Sequence, residues 1–357
     1  MPAIQAAREA ARRAQCISNQ RQVAFALQNY EFTKKSFPPL RGPLKPSTYR
    51  CSQHPDPSYA PGELTDLTEI TELSWVGFLL PFIEQNTAWG QINDVAIDPE
   101  LYQLVLPVMQ CRSSGISSGD NRINYVANAG PLNFYNQDWA HPGTEFVIDV
   151  NPPRSSVQAK HYTVFFDHLI SNGVWSDLMP NRLSKMKITI DNITSLDGTS
   201  NTILLSENED AGKWIWEGIP NSTWAGGAAG TVPLASWHLA TDPGGRIICG
   251  SDLRDLESVV GFCYPNTYGV SSNGILDFYY DGTAGQPVFI NEGRANSSYP
   301  AMGTEAARPS SGHPGGVVAA FVDGGVRFLR DDMDKTLFVR LARPGSGVIL
   351  NPKDIFD

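Results

Sequence analysis

From Met1 to Lys35 the chain runs without glycine and, after Pro2, without proline, in Ala, Arg, Gln and Glu, which are strong helix formers. Cys16, Val23, Leu27 and Tyr30, with Ile17, Ala24 and Phe25 beside them, recur at spacings of three and four, so the second half predicts a helix with one buried stripe. In the first half only Ile4 and a ladder of alanines are apolar, while Arg8, Arg12 and Arg13 stand within two turns. The proline-rich stretch from Ser36 to Gly62 reads as an extended connector. The apolar run Leu73 to Gln85 is too short to cross a membrane. It predicts a buried short helix or strand whose Trp75, Phe78 and Phe82 pack on the first helix.

Further on, Lys187-Ile188-Thr189-Ile190 alternates polar and apolar positions, Asp197-Gly198 is a turn signal, and Ile203 to Leu205 is apolar. The segment therefore predicts strand, turn and strand. Val317 to Val322 predicts a buried strand, Asp323-Gly324-Gly325 a tight turn, and Val326 to Leu329 an antiparallel return. Leu337 to Ala342 predicts a short terminal helix ended by Arg343-Pro344-Gly345. The fold class is α+β, a long N-terminal helix (1–35) on an antiparallel sheet formed by the domain 36–357. Residues 131–185 and 208–310 read as loop-rich insertions.

Charge changes the picture of the helix. It carries six basic and two acidic residues on a chain of net −10, which leaves −14 on residues 36–357. An acidic body argues against a nucleic-acid partner. The basic arm is either a solvated helix with a core-facing stripe or a surface set against a membrane or a neighbouring subunit. Charged residues make up only 18%, and glycine and proline about one residue in six, which favours a β-containing, loop-rich body. The five cysteines (Cys16, Cys51, Cys111, Cys249 and Cys263) include no CxxC pair, so zinc-finger spacing is absent. Buried free thiols are the default for all five, and Cys249 with Cys263 is the spacing that offers a bridge in an exported protein.

Signals for catalysis are weak. Gly115-Ile116-Ser117-Ser118-Gly119 fits G-x-S-x-G formally, but a nucleophile elbow needs a strand before it and a helix after it. His313 and Asp323 invite a pairing, yet an extended chain would hold them about 30 Å apart. The expectation is that His313 bonds backbone at a strand entrance and Asp323 closes the turn. His161 and His168 fit no common ligand spacing. Glu207, Glu209 and Asp210 are candidate oxygen ligands for Ca2+, though without EF-hand spacing. Trp214, Trp216, Trp224 and Trp237 lie among glycines and read either as core or as a platform stacking on carbohydrate.

Several blocks carry a family resemblance. Pro2 to Arg13, Gln15-Cys16, Ser18-Asn19, Arg21-Gln22-Val23, Asn29-Tyr30 and Ser36-Phe37-Pro38-Pro39 resemble the start of the DUF1559 family. These are prepilin-like proteins abundant in planctomycetes, with an H-x9-DG motif near the C-terminus. The motif is intact in His313 to Gly324, and the blocks at Ser74 to Gln85, Asn124 to Gly130 and Asp197 to Glu207 also match. Arg112 stands where the family usually has proline, and Ser206 where it has glycine. The resemblance implies a pilin-like fold and a non-enzymatic, extracytoplasmic subunit of the cell envelope. An apolar segment and processing motif ahead of Pro2 would anchor it in the inner membrane. Its partners would be other pilin-like subunits or type II secretion-like machinery, with no cofactor. Ile4, Arg8, Arg12 and Arg13 would form the assembly or membrane-proximal face, and His313, Asp323, Gly324, Asp197 and Gly198 the structural motif positions. The alternative function is an extracytoplasmic solute- or carbohydrate-binding protein using the tryptophan loops.

Overall fold

The structure, a computed structural model, describes residues 2–43, 72–92, 101, 103–116, 119–131, 160–161, 163–165, 187–209, 211, 214, 240–241, 247–248, 261–264, 267–270, 276–278, 289–291 and 308–346. Helix α1 spans Pro2–Lys34. Cys16, Gln20, Val23, Ala24, Ala26, Leu27 and Tyr30 are its buried residues, the stripe that the apolar spacing predicts, with Ile17 partly buried and Phe25 lying outside it, 53% exposed.

The strands are β1 (Arg41–Pro43), β2 (Glu72–Ser74), β3 (Tyr125–Pro131), β4 (Ile203–Glu207), β5 (Ala240–Thr241), β6 (Ile247–Ile248), β7 (Gly261–Tyr264), β8 (Thr267–Val270), β9 (Leu276–Phe278), β10 (Gly316–Phe321) and β11 (Val326–Arg330). The main sheet has the order β11-β10-β4-β3-β7. Its first four strands are antiparallel and β7 adds to β3 in parallel. The stretch read as the second insertion thus supplies an edge strand. Registers such as Val317 opposite Leu329 and Ala319 opposite Ser206 fix the centre. Every residue of β10 and β4 is buried, and because successive side chains point to opposite faces, both faces of these strands are covered. Helix α1 packs against β10 and β11, and the terminal helix, Lys335–Ala342, against β4.

Side-chain bonds set the helix in register with β10. Glu9 meets His313, Arg13 reaches the Pro314 carbonyl, Gln20 Nε2 donates to Val318 O at 2.8 Å, and Gln28 Nε2 donates to Val322 O at 2.8 Å. Eight helical residues rise about 12 Å and four strand residues about 13 Å. Helix and strand therefore run side by side in the same direction without losing step.

The β10–β11 turn is the predicted one: Gly325 N donates to Asp323 Oδ1 at 2.8 Å and Gly324 has φ 82°. The segment before β4 departs from expectation. Residues 187–189 are not a strand, and Ile190–Thr194 is a short helix. Thr189 Oγ1 accepts the Asn192 N–H while Asn192 Oδ1 accepts the Thr189 N–H. This reciprocal cap satisfies two donors that a strand would have to pair elsewhere, and it overrides the alternation. Asp197-Gly198 accordingly turns out of a helix and into β4. The Asp197 carboxylate accepts the Ser346 N–H at 2.6 Å, tying the turn to the chain beyond the terminal helix.

The Leu73–Gln85 block folds as the short helix Trp75–Leu79 and a 3₁₀ turn, Leu80–Phe82. Phe82 packs edge-on against Tyr30 of α1, with ring centres 5.3 Å apart. Asn128 is the buried polar tie in β3. Its Nδ2 donates to Ile203 O and to Ala342 O at 2.8 and 2.7 Å, and its Oδ1 accepts the Gly130 N–H. Asn128→Ala is expected to lower stability by about 2–3 kcal/mol, because two carbonyls are left buried without donors. Urea denaturation at unchanged m-value measures it.

Candidate functional site

His313 sits in the loop that leads into β10, and four separate segments converge on it. Ser311 Oγ donates to Gly316 O at 2.7 Å and accepts the His313 N–H, which closes the loop on itself. A Cβ at Gly312 would run into the Ser113 carbonyl, so only glycine lets this loop lie against residues 111–114.

The imidazole is fully buried and held on both nitrogens. Nδ1 lies 2.5 Å from Glu9 Oε1 on α1. Nε2 faces Cys111 Sγ at 3.3 Å and Glu207 Oε1, at the end of β4, at 3.4 Å. The other Glu207 oxygen accepts the Val318 N–H at 2.8 Å. Against the expectation of free thiols, Cys111 is disulfide-bonded to Cys16 of α1, with Cα atoms 5.5 Å apart. Glu9 keeps a side-chain exposure of 20%, takes Ser113 Oγ on both oxygens at 3.2 Å, and pairs with Arg12 at 3.4 Å. Helix, sheet and loop are thus joined at one point by a covalent bridge and a carboxylate–imidazole–carboxylate chain.

Burial opposes a charge on the imidazole, but the neighbouring carboxylates of Glu207 and Glu9 outweigh it and raise the His313 pKa above its ordinary 6.5. Partial burial works against ionisation of Glu9, and His313, Ser113 and Arg12 outweigh it, holding that carboxyl below its ordinary 4.5. A raised histidine stabilises fully below 6.5 and loses that contribution as pH climbs through its folded-state value. A depressed carboxyl stabilises above 4.5 and loses it as pH falls through its own. With the bridge closed, the pair therefore contributes most between 4.5 and 6.5. Glu9→Gln is expected to flatten the fall in thermal stability above pH 6.5, and an unchanged pH profile in this variant would contradict the assignment.

The expected backbone role for the His313 side chain is corrected here, since its partners are two carboxylates and a sulfur. Asp323 does close its turn, at the far end of β10. Of the Ca2+ candidates, Glu207 is buried in β4 and turned toward His313, while the Glu209 N–H donates to Ser310 Oγ at 3.0 Å. Asp210 lies outside the described residues. Trp214 is core, its indole N–H donating to Leu104 O at 3.0 Å and its carbonyl accepting Ser74 Oγ, so it presents no face to a ligand. Trp216, Trp224, Trp237, Ser117, His168, Cys249 and the side chain of Cys263 are outside the described residues.

Ile4, Arg8 and Arg12 are exposed, as expected of an outer face. Arg13 is not with them: its guanidinium lies 3.9 Å from the centre of the Phe328 ring. Glu9, Cys16 and Cys111 are members of the site that sequence reading missed. The position of Cys16 in the buried stripe of α1 was the one available signal.

The chain is therefore an α+β protein whose N-terminal helix is pinned to an antiparallel sheet through the histidine of the H-x9-DG motif. It belongs to the DUF1559 family, described as proteins of unknown function, which it matches over residues 5–336. No curated protein and no solved structure matches it. Among the described residues, no helix is long and apolar enough to cross a membrane.

Proposed function

We propose that this chain is a non-enzymatic, prepilin-like subunit of the cell envelope that assembles through α1 with like subunits or with secretion machinery. The observation that carries the reading is the split along the helix. From Val23 to Tyr30 one face of it is built into the core, whereas from Ala3 to Arg12 every residue except the partly covered Glu9 is exposed, Ile4 at 54%. A helix that needed only to cover its own sheet would have no use for this projecting, alanine-lined half. Small side chains let a second helix approach closely, and Arg8 and Arg12 would meet acidic surface on a neighbour or anionic lipid headgroups. The acidic body of a second copy is itself such a surface.

A non-enzymatic role is supported by the site, where both sulfurs are bonded and His313 is engaged on each nitrogen. The protein would be extracytoplasmic, anchored in the native chain through a segment ahead of α1. A photo-crosslinking amino acid in place of Ile4, in the native full-length protein in cells, tests the proposal. Crosslinks to a second copy or a pilin-like partner in the envelope fraction are expected. Recovery in the cytosol, with no more crosslinking than from a control position at Arg330, would overturn it.

A further inference from the structure

The geometry points to a redox-gated Zn2+ site made of Cys16, Cys111, Glu207 and His313. The ligand atoms of these four buried residues all lie within 4.8 Å of one another. In a tetrahedral zinc site with Zn–S near 2.3 Å and Zn–N or Zn–O near 2.0–2.2 Å, neighbouring ligand atoms are separated by about 3.3–3.8 Å. His313 Nε2 stands 3.3 Å from Cys111 Sγ and 3.4 Å from Glu207 Oε1, so two edges of that tetrahedron are already in place. Two thiolates, an imidazole and a carboxylate form a donor set that zinc accepts.

The surroundings orient these ligands as metal sites require. Glu9 on Nδ1 makes that nitrogen the donor and turns the Nε2 lone pair inward, the carboxylate–histidine arrangement that fixes tautomer and ring angle. The Val318 N–H holds one oxygen of Glu207, leaving Oε1 buried, without a hydrogen bond among the described residues, and aimed at the cluster. That oxygen, 3.4 Å from His313 Nε2, lies in the same cluster as the two sulfurs.

With the bridge closed the two sulfurs are joined to each other and the site does not exist. A dithiol reductant opens it by passing two electrons and two protons to the bridge. The S–S bond becomes two thiols, and the reductant closes to its own disulfide. Zn2+ then binds both sulfurs with release of the two thiol protons. The same four segments are held together in either state, by a covalent bond when oxidised and by the ion when reduced. The inference does not depend on the assembly role proposed above, because it is read from isolated protein.

The test is a Co2+ titration of the full chain, oxidised or reduced with a phosphine and handled without oxygen. The reduced protein is expected to bind one Co2+ with thiolate charge-transfer absorption and intense tetrahedral bands, all displaced by Zn2+, and the oxidised protein to show none of these. Glu9→Gln changes only the outer partner, at a partly covered helix position, and should fold normally. It is expected to weaken Zn2+ binding about 10–100-fold. No stoichiometric Co2+ in the reduced protein would overturn the site, as would a pale octahedral spectrum, unchanged affinity in Glu9→Gln, or equal binding by the Cys16→Ser/Cys111→Ser double variant.

Discussion

Removing the Cys16–Cys111 bridge from metal-free protein is expected to lower the unfolding free energy by about 4–5 kcal/mol. The bridged residues are 95 apart in sequence, and the entropy withheld from the unfolded chain grows with the logarithm of the loop, so this bridge lies near the upper end of the usual range. For a domain with about 5–15 kcal/mol in total, that is roughly a quarter or more of its margin. The comparison is between oxidised wild type and Cys16→Ala/Cys111→Ala. Alanine suits both positions because each side chain is buried and the small apolar residue adds no polar group beside His313. The variant should show a lower urea midpoint and a somewhat larger m-value, since its unfolded chain is no longer held in a loop and exposes more surface. A midpoint within the equivalent of 1 kcal/mol of wild type would mean that the loop adds nothing. In the reduced wild type, Zn2+ at a thousand times its dissociation constant would restore about 4 kcal/mol by mass action. The two states of the site are thus of similar worth to the fold.

What could be read in the sequence was what local spacing encodes. Cys16, Val23, Leu27 and Tyr30 define a buried stripe in any helix. Asp323-Gly324 closes a hairpin because glycine adopts the positive φ that the turn needs. The 187–190 segment failed because the Thr189–Asn192 cap is a local alternative that a two-residue alternation cannot reveal. Trp214 carries no mark distinguishing a core indole from an exposed one, because the difference is the Leu104 carbonyl, 110 positions away. The site was least legible for the same reason. Glu9 meets His313 across 304 residues and Cys111 across 202, and these separations have no period. Arg8, Arg12 and Arg13 look equivalent in the string. Only the position of Phe328 under Arg13 divides them, one arginine anchoring the helix while two remain outside.

Glu207→Ala is the single substitution expected to cost most, about 3–5 kcal/mol. The side chain is 1% exposed and does two things at once. One oxygen satisfies the Val318 N–H in the middle of the sheet, and the other faces the buried imidazole. Alanine leaves a strand donor unpaired, a histidine charge uncompensated on its inner side, and a cavity between β4, β10 and α1. Glu207→Gln separates these effects. Its amide oxygen can still accept from Val318, while its amide nitrogen can donate to a neutral Nε2, so the loss should be about 1–2 kcal/mol. The glutamine variant should also lose part of the decline in stability expected of wild type above pH 6.5, because Glu207 is one of the two groups that raise the His313 pKa. Thermal melts across pH 5 to 8, run with the bridge closed, measure both effects. A Glu207→Ala midpoint within about 1 kcal/mol of wild type would show that neither Val318 nor His313 depends on this carboxylate.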